Sequence, residues 1–252
     1  MIQLSRRGPV AVVTLARPPV NALNGELLAA FHDVLDTLES QSDWTLLHIR
    51  SAQKVFVGGA DIAFMSDMSK FDDPSAEMAK YLRPFQGLFK RLEELPQVTL
   101  AEINGAAMGG GFELALACDL RIAAKEAKIA LPEIGLGLIP AAGGTQRLTR
   151  LCGPGIASRI IFSTEPVDGA TAETLGMVQW SFSQAELEAK AAAIADRIAA
   201  SHPEALKIAK RCIRNAAQTP DIGYNMELQG IADLIRTPET QRRLTAFFNR
   251  GK

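Results

Sequence analysis

The stretch Val98–Cys118, V-T-L-A-E-I-N-G-A-A-M-G-G-G-F-E-L-A-L-A-C, decides how the whole chain is read. It predicts a short apolar strand over Val98 to Ile103, a turn at Asn104-Gly105, and a glycine step into a helix starting near Gly109. Glu113 falls in the first turn of that helix. Three successive glycines cost a helix interior roughly 1 kcal/mol each against alanine. A chain carries that cost where its backbone must come very close to something, and the free N–H groups of a helix start attract negative charge. Gly110 and Glu113 are three apart, so if both are helical they share one face. An N–H donor and a carboxylate would then point at one small volume. Tight packing alone also puts glycines at strand-to-helix turns, and a Glu in a first turn is favoured electrostatically. The stretch by itself leaves both readings open.

Nucleotide motifs fit poorly. A phosphate-binding P-loop wants Lys-Ser/Thr after its glycines, where this chain has Phe112-Glu113. Gly135-Leu136-Gly137 runs on to Pro140 where a dinucleotide fingerprint wants its third glycine. The chain of 252 residues suits one large domain, or a domain with an appendage. A net charge of −1 gives no electrostatic case for nucleic acid or an anionic membrane. Cys118, Cys152 and Cys212 are widely spaced and form no metal-ligand pattern, as expected of buried thiols in a reducing compartment. With no signal-like N-terminus and no run approaching 18 apolar residues, a soluble cytoplasmic protein is expected.

Outward from the central stretch, Ile2 to Arg6 and Val10 to Ala16 read as a hairpin around Gly8-Pro9. Asn24 caps a predicted helix reaching Ser40, apolar along Leu27, Phe31, Leu35 and Leu38 and acidic along Asp33 and Asp36. Thr45 to Arg50 reads as a buried strand. Val55 to Ile62 forms a second glycine turn opening into a short helix, and Pro74 to Leu95 is helical. Strands are expected at Asp119–Ala123, Lys128–Leu131 and Val178–Ser181. Between them lie a glycine-punctuated connection from Pro132 to Pro140 and helices over 141–150, 154–162 and 168–175. From Ser183 onward only helices are expected, at 183–200, 203–217, 221–235 and 238–249. The fold class is therefore mixed α/β with a helical tail.

Five segments taken together resemble the enoyl-CoA hydratase/isomerase, or crotonase, superfamily. They are P-V-N-A-L-N (19–24), F-V-G-G-A-D-I (56–62), N-G-A-A-M-G-G-G-F-E-L-A-L-A-C-D (104–119), A-L-P-E-I-G-L-G-L-I-P-A-A-G-G-T-Q-R-L (130–148) and A-F-F-N-R (246–250). They stand in the family's order over essentially the whole chain. The resemblance implies a spiral of strand-strand-helix units over 1–182 and an all-helical oligomerisation region over 183–252. It also implies a homotrimer or a hexamer made of two trimers. The implied ligand is an acyl-CoA thioester, with no metal and no cofactor besides the CoA of the substrate.

Position by position, the resemblance puts the oxyanion hole on the backbone N–H groups of Gly58 and Gly110. It puts two catalytic carboxylates on Glu113 and Glu133: Glu133 handles the proton at C2, and Glu113 holds and helps deprotonate water. CoA is expected along Gly58-Gly59-Ala60-Asp61, with Ala22, Leu23 and Ala141 nearby and Arg250 at the nucleotide end. Met65, Met68, Phe85 and Phe89 are acyl-pocket candidates, although helical spacing also suits them to the core. Two departures stand out. Ala141 occupies a place where many hydratases have glycine, and Phe64 one where a charged residue is common. The implied activity is reversible hydration of a 2-enoyl-CoA, as in β-oxidation of fatty acids. An enoyl-CoA isomerase and a hydratase of cyclic or branched enoyl-CoA are the near alternatives. A non-catalytic scaffold or RNA-binding relative is the distant one, and the acidic first helix argues against RNA.

Overall fold

The computed structural model describes residues 1–61, 72–215, 233, 237–240 and 242. The chain begins with the expected hairpin. β1 (Ile2–Arg7) and β2 (Val10–Leu15) pair antiparallel from Ile2↔Leu15 to Arg7↔Val10, and Gly8 turns between them at φ 54°. The later strands are β3 (Leu46–Ser51), β4 (Val98–Ile103), β5 (Ala107–Met108), β6 (Leu120–Ala124), β7 (Lys128–Ala130), β8 (Val167–Asp168) and β9 (Trp180–Phe182). The large sheet has the order β1-β2-β3-β4-β6-β9 and is parallel from β2 onward. β4 is buried at all its positions, which is why it reads as an unbroken apolar run. The smaller sheet is β5-β7-β8.

The helices are α1 (Gly25–Glu39), α2 (Pro74–Glu94), α3 (Gly110–Leu116), α4 (Gly144–Ser163), α5 (Gly169–Thr174), α6 (Gln184–Ala199) and α7 (Pro203–Asn215). α1 starts at Asn24, whose side chain accepts from the Leu27 N–H, and buries Leu27, Phe31, Leu35 and Leu38. α2 starts at Asp73 with Pro74 in its first turn. It ends at Leu95, which precedes Pro96 and is extended. α4 joins the two helices expected on either side of Gly153, which breaks helical geometry at φ 80°, ψ 164°.

Isolated parallel bridges Leu23↔Ala60 and Val57↔Ala107 prolong the line of the smaller sheet. The chain then repeats one path: a strand in the large sheet, a strand or bridge in the second layer, and a helix. β2 leads to the Leu23 bridge and α1, β4 to β5 and α3, and β6 to β7 and α4. This is the expected strand-strand-helix spiral. It puts the second-layer turns side by side with helix starts at their ends.

Arg121 of β6 is buried and clamps the far end of α3. Its Nη1 donates to Ala115 O (3.2 Å) and Cys118 O (2.7 Å), and its Nε to Met177 O (2.9 Å). α6 lies across β2, β3, β4, β6 and β9. Lys210 of α7 donates from Nζ to Gln97 O (2.8 Å) and pairs with Asp119 Oδ2 (2.6 Å). The helices just past the expected 182/183 boundary are thus fastened to the sheet. Those expected over 221–235 and 238–249 lie almost entirely outside the described residues, as does the short helix expected after Asp61.

Candidate active site

A cavity of about 360 Å³ opens where α2 faces the second-layer turns. Leu23, Gly58-Gly59-Ala60, Gly109-Gly110, Glu113, Glu133 and Ala141 all line it. Met78, Tyr81, Leu82 and Phe85 of α2 add an apolar side, together with Leu136, Leu138 and Ile139.

Glu113 is 3% exposed. Its Oε1 accepts from Ala142 N (2.8 Å) and Gly144 N (2.7 Å), two donors at the start of α4. Burial pushes its carboxyl above the ordinary range, and the Gly144 and Ala142 N–H groups and the Arg147 charge pull back. Glu133 opens a 3₁₀ turn, Glu133–Leu136, inside the segment expected to be an irregular connection. Its Oε2 is buried and, among the described residues, accepts no hydrogen bond. Burial raises the Glu133 carboxyl to about 7; its own backbone N–H opposes this and the Glu113 charge adds to it. The two carboxylates therefore have unlike surroundings: Glu113 Oε1 is gripped by two backbone N–H groups, whereas Glu133 Oε2 has no partner among the described residues. Gly109 makes room for Glu133. It takes φ 52°, and a Cβ there would sit 2.6 Å from Glu133 Oε1.

The oxyanion expectation needs a correction at Gly58. Its N–H donates to Val20 O at 2.8 Å and is spent within the fold. Around Ala60, Leu23 N donates to Gly59 O (2.8 Å) and Asp61 N to Leu23 O (2.9 Å). In a parallel bridge of this kind the central residue turns its own N–H to the opposite edge. Ala60 N has no acceptor among the described residues and lies 4.0 Å from where a Cβ of Gly110 would be. Gly59, at φ 112°, shifts the strand alternation so that Ala60 faces Gly110. Ala60 and Gly110 are thus two cavity-lining residues whose N–H groups have no acceptor among the described residues.

Ala22 and Asp61 flank the cavity instead of lining it. Arg17 ties them together, donating to Ala22 O (3.1 Å) and Asp61 Oδ2 (2.9 Å). Phe85 lines the cavity, whereas Phe89 is fully buried in the core. Phe64, Met65, Met68 and Arg250 lie outside the described residues. Sequence reasoning missed Tyr81 as a lining residue. Its hydroxyl donates to Leu23 O at 2.8 Å, and burial raises it above the ordinary phenol range. It also missed Asn21, whose buried amide donates to Ser51 Oγ (2.8 Å) and Phe56 O (2.9 Å) and so sets the 17–23 loop. An Asn amid a Pro-Val-Asn-Ala turn is a common loop residue, so only its burial marks it.

Among the described residues, no cluster of three or more His, Cys, Asp or Glu side chains is placed to hold a metal ion, and no helix is long and apolar enough to cross a membrane.

Residues 5–252 match the sequence profile of the family described as Enoyl-CoA hydratase/isomerase. The chain is similar to the short-chain-enoyl-CoA hydratase of Clostridium acetobutylicum, with 36% identity covering 99% of this chain and 95% of that protein. It is 34% identical to the crotonyl-CoA hydratase of Syntrophomonas wolfei, covering 100% of this chain and 96% of the relative. The crystal structure of an enoyl-CoA hydratase from Bacillus anthracis superposes with a TM-score of 0.90 at 33% identity, covering 99% of this chain and 96% of that one.

Proposed function

The chain belongs to the enoyl-CoA hydratase/isomerase family, and from that premise we propose how its cavity carries out a hydration. The enzyme is a hydro-lyase that adds water reversibly across the C2–C3 double bond of a 2-enoyl-CoA, giving a 3-hydroxyacyl-CoA. The observation that carries this reading is the convergence of two unlike carboxylates and two free N–H donors on one largely apolar cavity.

The thioester oxygen accepts from the N–H groups of Ala60 and Gly110. Charge builds on that oxygen as an enolate forms, and preorganised donors there are worth several kcal/mol, roughly 3–4 for one such donor. α3, starting behind Gly110, contributes the positive end of its dipole. Glu113, positioned by the N–H groups of Ala142 and Gly144, acts as the carboxylate that takes a proton from water as the water oxygen bonds to C3. Glu133, protonated below about pH 7, delivers a proton to C2. Transfer of the proton from Glu113 to Glu133 closes the cycle, and the net change is addition of one water. Reversal needs the same residues in the opposite protonation states.

The CoA arm runs along Gly58, Gly59, Ala60 and Asp61, with Ala22, Leu23 and Ala141 beside it and Arg250 at the nucleotide end. The reaction needs no cofactor beyond the CoA that the substrate carries. The protein works in the cytoplasm as a homotrimer or a hexamer, with residues 183–252 as the oligomerisation region joined to the core through α6 and α7. An isomerase of this family typically makes do with one carboxylate. Two of them lining the cavity favour hydration. The test follows the ultraviolet band of the conjugated thioester as crotonyl-CoA meets the enzyme. Loss of the band with 3-hydroxybutyryl-CoA as product, and its persistence with E113Q and E133Q, is expected. Full turnover by either variant would remove that residue from the mechanism.

A further inference from the structure

Glu113 is held by two peptide N–H groups, and the loop that supplies them is itself held from behind. A trans peptide points its oxygen and its N–H in opposite directions. The peptide joining Ala141 to Ala142 gives its N–H to Glu113, and its oxygen accepts from Gln86 Nε2 of α2 at 2.6 Å. The peptide joining Gly143 to Gly144 also gives its N–H to Glu113, and its oxygen accepts from Arg147 N at 2.9 Å. The peptide between them, with Ala142 O, accepts from Arg147 Nη1 at 3.0 Å. Every outward oxygen of this short loop therefore has a partner, and two of the three partners are side chains.

The Arg147 side chain is only 11% exposed and is fixed in turn. Its Nη2 and Nε donate to Glu93 Oε2 of α2 at 2.9 and 3.2 Å. Its guanidinium occupies the place where a Cβ on Gly143 would project. α2 thus reaches the loop twice, through Gln86 directly and through Glu93 and Arg147.

We propose that Gln86 and Arg147 are positioning residues for Glu113, holding the outer oxygens of residues 141 and 142 so that the inner N–H groups of Ala142 and Gly144 stay on Oε1. This rests on the reading of Glu113 as the carboxylate that activates water. Among the described residues, the charged or titratable groups facing Glu113 are Glu133 and Arg147. Glu93 and Arg150 stand behind Arg147, the latter 3.7 Å from Glu93 Oε1, and Tyr81 lines the same cavity.

The experiment is steady-state hydration of crotonyl-CoA against pH by R147M, R147K and Q86M, with E113Q as the reference and melting temperature measured alongside. Misplacing a reacting group by about 1 Å costs on the order of 100-fold. R147M is accordingly expected to lower kcat by about 10- to 100-fold with KM within about twofold, and to move the acid limb of the profile to higher pH because a cation has gone. R147K keeps the charge, so its acid limb stays at the wild-type position while kcat recovers only in part. Q86M removes no charge, yet weakening one donor to Glu113 moves its limb the same way by less. Should R147M not fold, the other two variants decide. Wild-type kcat in R147K and Q86M and an unmoved acid limb in Q86M, with only melting temperature lowered, would overturn the proposal while an inactive E113Q keeps the reading of Glu113. An active E113Q would overturn both.

Discussion

Glu133 is stabilised least where it is needed most. Its folded carboxyl ionises at about 7 against 4.5 for the free group, so the native state holds the proton more tightly than the unfolded one. For a raised acid, stability falls as pH climbs from 4.5 to about 7 and stays lower above that. E133Q is therefore expected to melt at the wild-type temperature near pH 4.5 and at a higher one near pH 8. Calorimetry at both pH values checks it, and equal melting temperatures at pH 8 would sink the argument. Hydration should decline as pH rises through about 7, and dehydration of 3-hydroxybutyryl-CoA should rise over the same range, since each direction starts from the other protonation state of Glu133. Parallel profiles in the two directions would contradict the assignment. G109A should cost activity on the order of 100-fold, because its methyl group would meet Glu133 Oε1 and its φ is strained. Circular dichroism then tells a misplaced carboxylate from a lost fold. At this scale the pairing of Gly110 with Glu113 beside one cavity was legible from residue type and spacing, whereas Glu133 was singled out only through the family resemblance. The choice between Gly58 and Ala60 was not. It turns on which way an N–H faces, and that depends on one backbone twist at Gly59.

α3 is only seven residues long, too short to hold itself in water, and it carries both Gly110 and Glu113. Its near end is set by Gly109 N donating to Ala130 O at 3.0 Å, and its far end by the Arg121 clamp. R121M would strand several buried carbonyls at once. A loss on the order of 3 kcal/mol is expected, from about 1–3 for each unsatisfied group with partial relief by water. Urea unfolding measures it, and an unchanged midpoint would show the clamp to be dispensable. The long elements were plain in the sequence because their periodicity runs over many residues. Val98–Ile103 and Pro74–Glu94 fall within a residue of their expected bounds. β5 and β8 were not legible, being two residues each, with no room for a pattern. Arg121 hid for a different reason: an arginine in a strand ordinarily reads as solvent-facing, and only the neighbouring carbonyls explain its burial.

For the whole molecule, the spiral could be read from the order of its motifs, while the attachment of α6 and α7 to the sheet could not. Helical periodicity tells which face is apolar and says nothing of what covers it. The Lys210–Asp119 pair makes that attachment testable. K210M leaves Asp119 and Gln97 O without their buried cation, so it should lower the melting temperature while leaving KM for crotonyl-CoA within about twofold. A changed KM with an unmoved melting temperature would mean that α7 communicates with the cavity instead of bracing the sheet. The spiral has one more consequence, for the time at which the protein becomes an enzyme. Ala60, Gly110, Glu133 and the 142–144 donors come from successive turns of the chain, and each turn is laid against the one before it. A ribosome-bound chain that has emerged only as far as Ala130 has Ala60, Gly110 and both anchors of α3, and still lacks Glu133 and the grip on Glu113. On the proposed mechanism such a nascent chain could hold a thioester and do nothing to it. Activity is therefore a late event of synthesis, and its appearance in a stalled-chain series should come only after residue 144 is free to seat.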